Sequence, residues 1–292
     1  KVNILVISNT TETTNWPINS DTNIKILSAT ISMGSNYVEY SPDSNYSFSI
    51  LGVSPNSSIW SFSHNTGSTV FGNGDNSTVE ISYINLSITS ASPNIESVFC
   101  SKGNLTVNNI ILSCPNTDLL ILLPGENTTF TNSSIVGGGA LSSFEFDVDS
   151  SADNSSFVQN VEITGTISGF TFGLSTFRAV YDNIYLNLTS PPPANQCVFQ
   201  IPNSTLSNVF SNTGYYISAD GNYSLINCKS IDTIVIGTVY PSSSDSLISG
   251  CDAQNYALAA GSEPKKIGNN VFIGNDYHDP DLFGIFDAVV KD

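Results

Sequence analysis

Charge is scarce in this 292-residue chain. Only 11% of residues are charged, and Arg178 is the sole arginine. Lys and Arg together number 8 against 25 Asp and Glu, for a formal net charge of −17. Binding to nucleic acid needs clustered cations that displace counterions, and an anionic membrane face attracts the same clusters. Both partner classes are therefore excluded. No run of about 18 apolar residues occurs, which excludes a membrane-spanning helix. With His64 and His278 the only histidines, imidazole acid–base chemistry has little to draw on. The cysteines are few and odd in number: Cys100, Cys114, Cys197, Cys228 and Cys251. None forms a CxxC spacing, so no metal site is signalled, and they read as small buried hydrophobes. Cys228 and Cys251 stand one repeat apart with offsets that differ by one, which does not favour a bridge. The chain opens on Lys1 rather than Met. A leader removed or a fragment is expected from that, with no signal-peptide pattern to decide between them.

What is present points to β structure. A 40% apolar and 10% aromatic content is too hydrophobic for a disordered acidic chain. The polar share is carried by 33 Asn, 46 Ser and 24 Thr, residues of turns and β-rich surfaces. Twelve Asn-X-Ser/Thr sequons, a small excess over chance, permit glycosylation in a secretory route.

A short pattern recurs along the chain: apolar, any residue, Asn, then apolar or small. It reads Val107-Asn108-Asn109-Ile110, Phe130-Thr131-Asn132-Ser133, Val158-Gln159-Asn160-Val161, Tyr181-Asp182-Asn183-Ile184, Leu206-Ser207-Asn208-Val209 and Leu225-Ile226-Asn227-Cys228. Ile81-Ser82-Tyr83-Ile84 and Leu247-Ile248-Ser249-Gly250 flank the series with the Asn replaced. Weaker copies begin at Val2, Ile24 and Phe48, and Ile267 opens a final turn. Repetition every 19 to 28 residues is the signature of a solenoid, here of about ten coils. Alternation places the first position and the Asn on one side of a strand, which predicts an inward Asn. The apolar residue at the next position breaks the alternation, so the chain bends at the Asn, the non-glycine residue best suited to a left-handed backbone. Stacked at about 4.8 Å, such amides would bond to one another and to buried backbone.

Further apolar runs, such as Phe170 to Phe172 and Tyr215 to Ile217, supply other strands of each coil. The expected fold is an all-β, single-stranded parallel β-helix over residues 1–278. Residues 279–292 form the expected cap: Asp279-Pro280 opens a helix, and Leu282, Ile285, Phe286 and Val289 make one apolar stripe. Trp16-Pro17 is placed in an N-terminal cap. Residues 81–252 resemble the right-handed parallel β-helix superfamily of pectate lyases, polygalacturonases and phage tailspikes. The resemblance lies in the column Asn109, Asn132, Asn160, Asn183, Asn208 and Asn227, which looks like that superfamily's asparagine ladder.

The resemblance implies either catalysis on polysaccharides or a structural role. Pectate-lyase chemistry would want clustered carboxylates beside a basic residue, which the chain lacks. Of the polygalacturonase motifs only Asn-Thr-Asp has a match, at Asn116-Thr117-Asp118, where a turn is the competing reading for Asp118. Glu145, Asp147 and Asp149 alternate with Phe144, Phe146 and Val148, which predicts carboxylates on one outward face about 6.5–7 Å apart. That separation suits inverting glycosidases, although a solvated solenoid face has the same pattern. The same oxygens are weak candidates for Ca²⁺, and no other cofactor is implied. Trp60, Phe62 and His64 lie in the longest repeat, where aromatic rings would serve as glycan contacts or as the loop's own small core. The function expected is a structural or attachment protein of a virion or extracellular surface. Its partners would be carbohydrate, other surface proteins or its own copies as a trimer. The alternative is a glycoside hydrolase.

Overall fold

The computed structural model describes residues 2–40, 45–64, 69–71, 78–90, 97–99, 104–114, 127–138, 143–146, 155–172, 178–189, 197–200, 204–219, 223–238, 247–258, 266–268 and 271–272. They form a parallel β-solenoid. One column of strands runs from Val2–Val6 through Thr22–Ile26, Ser47–Gly52, Thr78–Ser82 and Asn104–Asn108. It continues through Asn127–Gly138, Ser155–Thr166, Arg178–Leu188 and Thr205–Ser211 to Ser224–Ile226, Leu247–Ser249 and Lys266–Gly268. Each pairs in parallel with the next. A second column lies beyond the bend and includes Ile59–His64, Asn85–Ser90 and Ile111–Cys114. Third-side strands such as Gly169–Phe172, Cys197–Gln200 and Tyr215–Ala219 stack likewise.

The interior is built from rows of like residues one coil apart. Ile24, Ile50, Ile81, Val107, Phe130, Val158, Tyr181, Leu206 and Leu225 occupy one slot, and all are buried. Apolar side chains stacked in this way exclude water from between the described coils, which is where solenoid stability comes from. The largest fully buried side chains among the described residues are all aromatic: Trp60, Tyr181, Tyr215, Tyr223, Phe48, Phe62, Phe130, Phe170 and Phe199.

The bend is left-handed as expected. Asn109, Asn132, Asn160, Asn183, Asn208 and Asn227 have φ of 53° to 56°, Tyr83 takes 58° at the same slot and Gly250 takes 68°. The direction of the side chain differs from the expectation. Asn132, Asn160 and Asn183 are exposed and Asn109, Asn208 and Asn227 half-buried, because a left-handed residue interrupts the two-residue alternation and turns its side chain out. The ladder is therefore external. Asn160 Nδ2 donates to Asn132 Oδ1 at 2.8 Å, Asn183 Nδ2 to Asn160 Oδ1 at 2.7 Å and Asn227 Nδ2 to Asn208 Oδ1 at 2.8 Å. At two rungs the acceptor is instead the residue before the bend: Asn132 donates to Asn108 Oδ1 and Asn208 to Asp182 Oδ1.

Register corrects the repeat at three places. Ile4 and Ile50, not Val2 and Phe48, align with Ile24, a shift of two that leaves the faces unchanged. Near the end, Ile248 rather than Leu247 aligns with Leu225, so Gly250 takes the bend slot of Asn227. Trp16 belongs to a strand, Trp16–Ile18, that pairs with Val38–Tyr40, and not to a cap. The expected terminal helix over 279–292 lies outside the described residues.

Candidate functional site

Of the residues singled out from sequence, Trp60, Phe62, His64 and Glu145 lie on described strands. Trp60 and Phe62 sit on the strand Ile59–His64 with 0% and 1% of their surface exposed. Their rings lie 5.0 Å apart, and Trp60 also meets Trp16 at 5.6 Å and Phe48 at 6.1 Å. The Trp60-Ser61-Phe62-Ser63 alternation turns both rings inward, so neither offers a face to a glycan: they are core. His64 ends the same strand. Glu145 lies on Ser143–Phe146, which pairs with Gly169–Phe172. Asp118, Asp147 and Asp149 lie outside the described residues. Among the described residues no trio of His, Cys, Asp or Glu is placed to hold a metal ion.

The described part of the chain instead gathers its functional-looking surface along the outside of the ladder. Phe157 and Val180, paired on neighbouring strands, are exposed to 37% and 40%. Across the bend Tyr185 pairs with Phe210, exposed to 48% and 38%, and Phe210 pairs with Lys229. Lys229 Nζ stands 5.9 Å from the centre of the Phe210 ring, a cation–π distance. Sequence reading passed over these aromatics. The available signal was that Phe157, Tyr185 and Phe210 each stand next to an inward apolar position, which alternation turns outward.

Between the two apolar pairs runs a polar seam centred on Asp182. Its carboxylate accepts from Gln159 Nε2 at 2.9 Å, Ser207 Oγ at 2.7 Å and Asn208 Nδ2 at 2.7 Å. These bonds, Gln159's first, together with the Asn183 backbone N–H, hold Asp182 below the usual carboxylate range, while its partial burial works the other way. A depressed folded pKa means that the stabilisation is complete above the ordinary carboxylate value and is lost as pH falls through the lower folded value. Asp182→Asn is accordingly expected to be less stable than the parent at neutral pH, with the gap closing in that acid window. Denaturant midpoints of both proteins measured across acid pH check this; a gap independent of pH would show that the charge contributes nothing.

At the N-terminal end the inward slots of Val2 and Ile4 remain open to solvent, at 49% and 38% exposure. They border a hollow of about 260 Å³ with Trp16, Ile18 and Ile24. Val2–Val6 is the outermost strand of its column among the described residues.

Compared with protein-family models, curated proteins and solved structures, the chain matches none. Its fold is a parallel β-solenoid, an architecture that hosts unrelated functions.

Proposed function

We propose that this chain is a structural or attachment protein of a virion or extracellular surface, a fibre-, tailspike- or adhesin-like member of the right-handed β-helix class. It contacts carbohydrate through the outside of its asparagine ladder, and it assembles with its own copies, as a trimer, or with other surface proteins. The observation that supports the reading is the pairing of exposed rings with exposed amides. Phe157, Tyr185 and Phe210 flank a seam of Asn160, Asn183 and Asp182. Aromatic faces stack on the apolar faces of pyranose rings, and amide and carboxylate groups bond to the hydroxyls at their edges. A scarcity of cations suits a neutral ligand better than an anionic one.

The test is binding of the purified protein to a broad glycan panel, with Tyr185→Ala/Phe210→Ala in parallel. Both rings lie on the surface, so the double variant should keep the parent's thermal midpoint within a few degrees and lose at least about tenfold in glycan affinity, as expected for two lost stacking contacts. Binding to no glycan in the panel would remove the carbohydrate partner. Release of oligosaccharides, abolished by Asp147→Asn or Asp149→Asn, would replace attachment with hydrolysis.

A further inference from the structure

We infer that Cys228 and Cys251 form an inter-coil disulfide under oxidising conditions. The register carries the inference. Ile226 pairs with Ser249 and Lys229 with Asp252, so Cys228 and Cys251, each just before the strand that follows the bend, hold the same place in successive coils. Strands stack about 4.8 Å apart, and the pairs on either side of the two cysteines hold their coils at that spacing. Disulfides span Cα separations of roughly 4.4–6.8 Å. The one-residue slip that brings Gly250 to the bend is what makes the two cysteines coincide; without it their offsets would differ.

Both sulfurs point into the core. Cys228 is 0% and Cys251 2% exposed, and both are thiols in the structure. Cys228 Sγ donates to the Leu206 carbonyl at 3.4 Å, and Cys251 Sγ to that of Ser249 at 3.8 Å. A third polar group shares the space. The Tyr215 hydroxyl is fully buried and has no hydrogen-bond partner among the described residues. Burial raises its pKa well above the ordinary value, and both sulfurs raise it further. Burial, and next the neighbouring Cys251, likewise raise the Cys228 thiol. A thiol held neutral in the closed core is a poor nucleophile. The bond therefore forms while these two coils are being laid down and is shielded once they close.

The reaction balances with a small-molecule disulfide as oxidant. Each cysteine gives up its S–H hydrogen as the Sγ–Sγ bond forms, and two electrons pass to the oxidant, whose sulfurs leave as two thiols. The product ties one coil to the next. It does not depend on glycan contact.

The test is to unfold the reduced full chain, refold it with a mixture of reduced and oxidised glutathione, quench in acid, and alkylate in denaturant. Five cysteines are present, and alkylation should fall to three. Trypsin cuts after Lys229, between the two cysteines, so peptides 179–229 and 230–265 should appear joined and lighter by two hydrogens. Fragmentation should place the link at Cys228 rather than Cys197. Cys228→Ala should keep its four remaining thiols through the same treatment. Five alkylated cysteines in the refolded parent, a link involving any other cysteine, or glutathione attached to either residue would each overturn the inference. Should the variant fail to fold, the peptide map of the parent alone decides.

Discussion

Trp60→Ala is expected to destabilise the chain by about 3–5 kcal/mol, the range for removing a large aromatic from a closed core. The indole is 0% exposed and is surrounded by rings at 5.0 Å from Phe62, 5.6 Å from Trp16 and 6.1 Å from Phe48. Its strand is also held from both sides: Ile31 pairs with Trp60 below and Leu86 above. Neighbouring rungs anchored by backbone bonds cannot collapse far into the space left behind, which places the cost toward the upper part of that range. Trp60→Phe should recover most of the loss, since the contacts with Phe62 and Phe48 need only one ring. Denaturant unfolding at neutral pH measures both. The result also separates two roles for this residue. A glycan platform would lose binding on truncation and keep its stability; a core residue does the reverse. A Trp60→Ala chain with an unchanged midpoint would return Trp60 to the surface.

That contrast shows where sequence reasoning reaches and where it stops. The Asn column was legible because only a few residue types sit comfortably at a φ of 53° to 56°, so the backbone leaves a chemical trace at every coil. Its direction was not legible, since the rule of alternating faces assumes extended backbone, and a left-handed residue suspends that rule at its own position. Ile50 and Phe48 could not be told apart as the start of a coil: both face inward, and a two-residue slip changes no face. The one-residue slip at Gly250 was concealed for a different reason. There glycine replaces asparagine, a search for Asn finds nothing to align, and Ser249 occupies the slot by default. Of the two readings of Trp60 and Phe62 the core one holds, but on a strand rather than a loop: the repeat from Phe48 to Ile81 is long, and the strand period of Trp60-Ser61-Phe62-Ser63 was overlooked. The exposed set of Phe157, Tyr185 and Phe210 escaped because aromatic residues in a β-rich chain are taken for core unless their register is known. The slips at Ile50 and Gly250 and the missed exposed aromatics are failures of register. The surface of a solenoid is set by which residues of successive coils lie side by side, and a single sequence fixes that only where each coil repeats a conformationally demanding residue.

Gly165→Ala should cost about 2–5 kcal/mol, combining roughly 1–2 for a left-handed backbone with 1–3 for forced overpacking. Gly165 has φ of 89° and lies in the strand Ser155–Thr166, paired on one side with Gly137 and on the other with Leu188. A Cβ there would fall 2.0 Å from the Gly137 carbonyl oxygen and 3.3 Å from its nitrogen. Both obstacles are backbone, so no side-chain rotation relieves them; the strands must part, and the Thr189 N–H bond to the Gly165 carbonyl is strained with them. The facing glycine is no freer, because a Cβ on Gly137 would meet Ile167 Cγ2 at 2.3 Å and the Thr166 carbonyl oxygen at 2.6 Å. Gly137 and Gly165 thus form a contact where two coils meet backbone to backbone, and neither tolerates a methyl group. Gly34 is the matched control. It also has positive φ, 57°, but nothing lies within 4 Å of its added Cβ. Gly34→Ala should therefore show the backbone penalty alone, about 1–2 kcal/mol. Denaturant midpoints of the two variants isolate the packing contribution by difference. Equal losses would mean that the strands around Gly165 yield without cost, and that the close approach of the two coils does not constrain the solenoid.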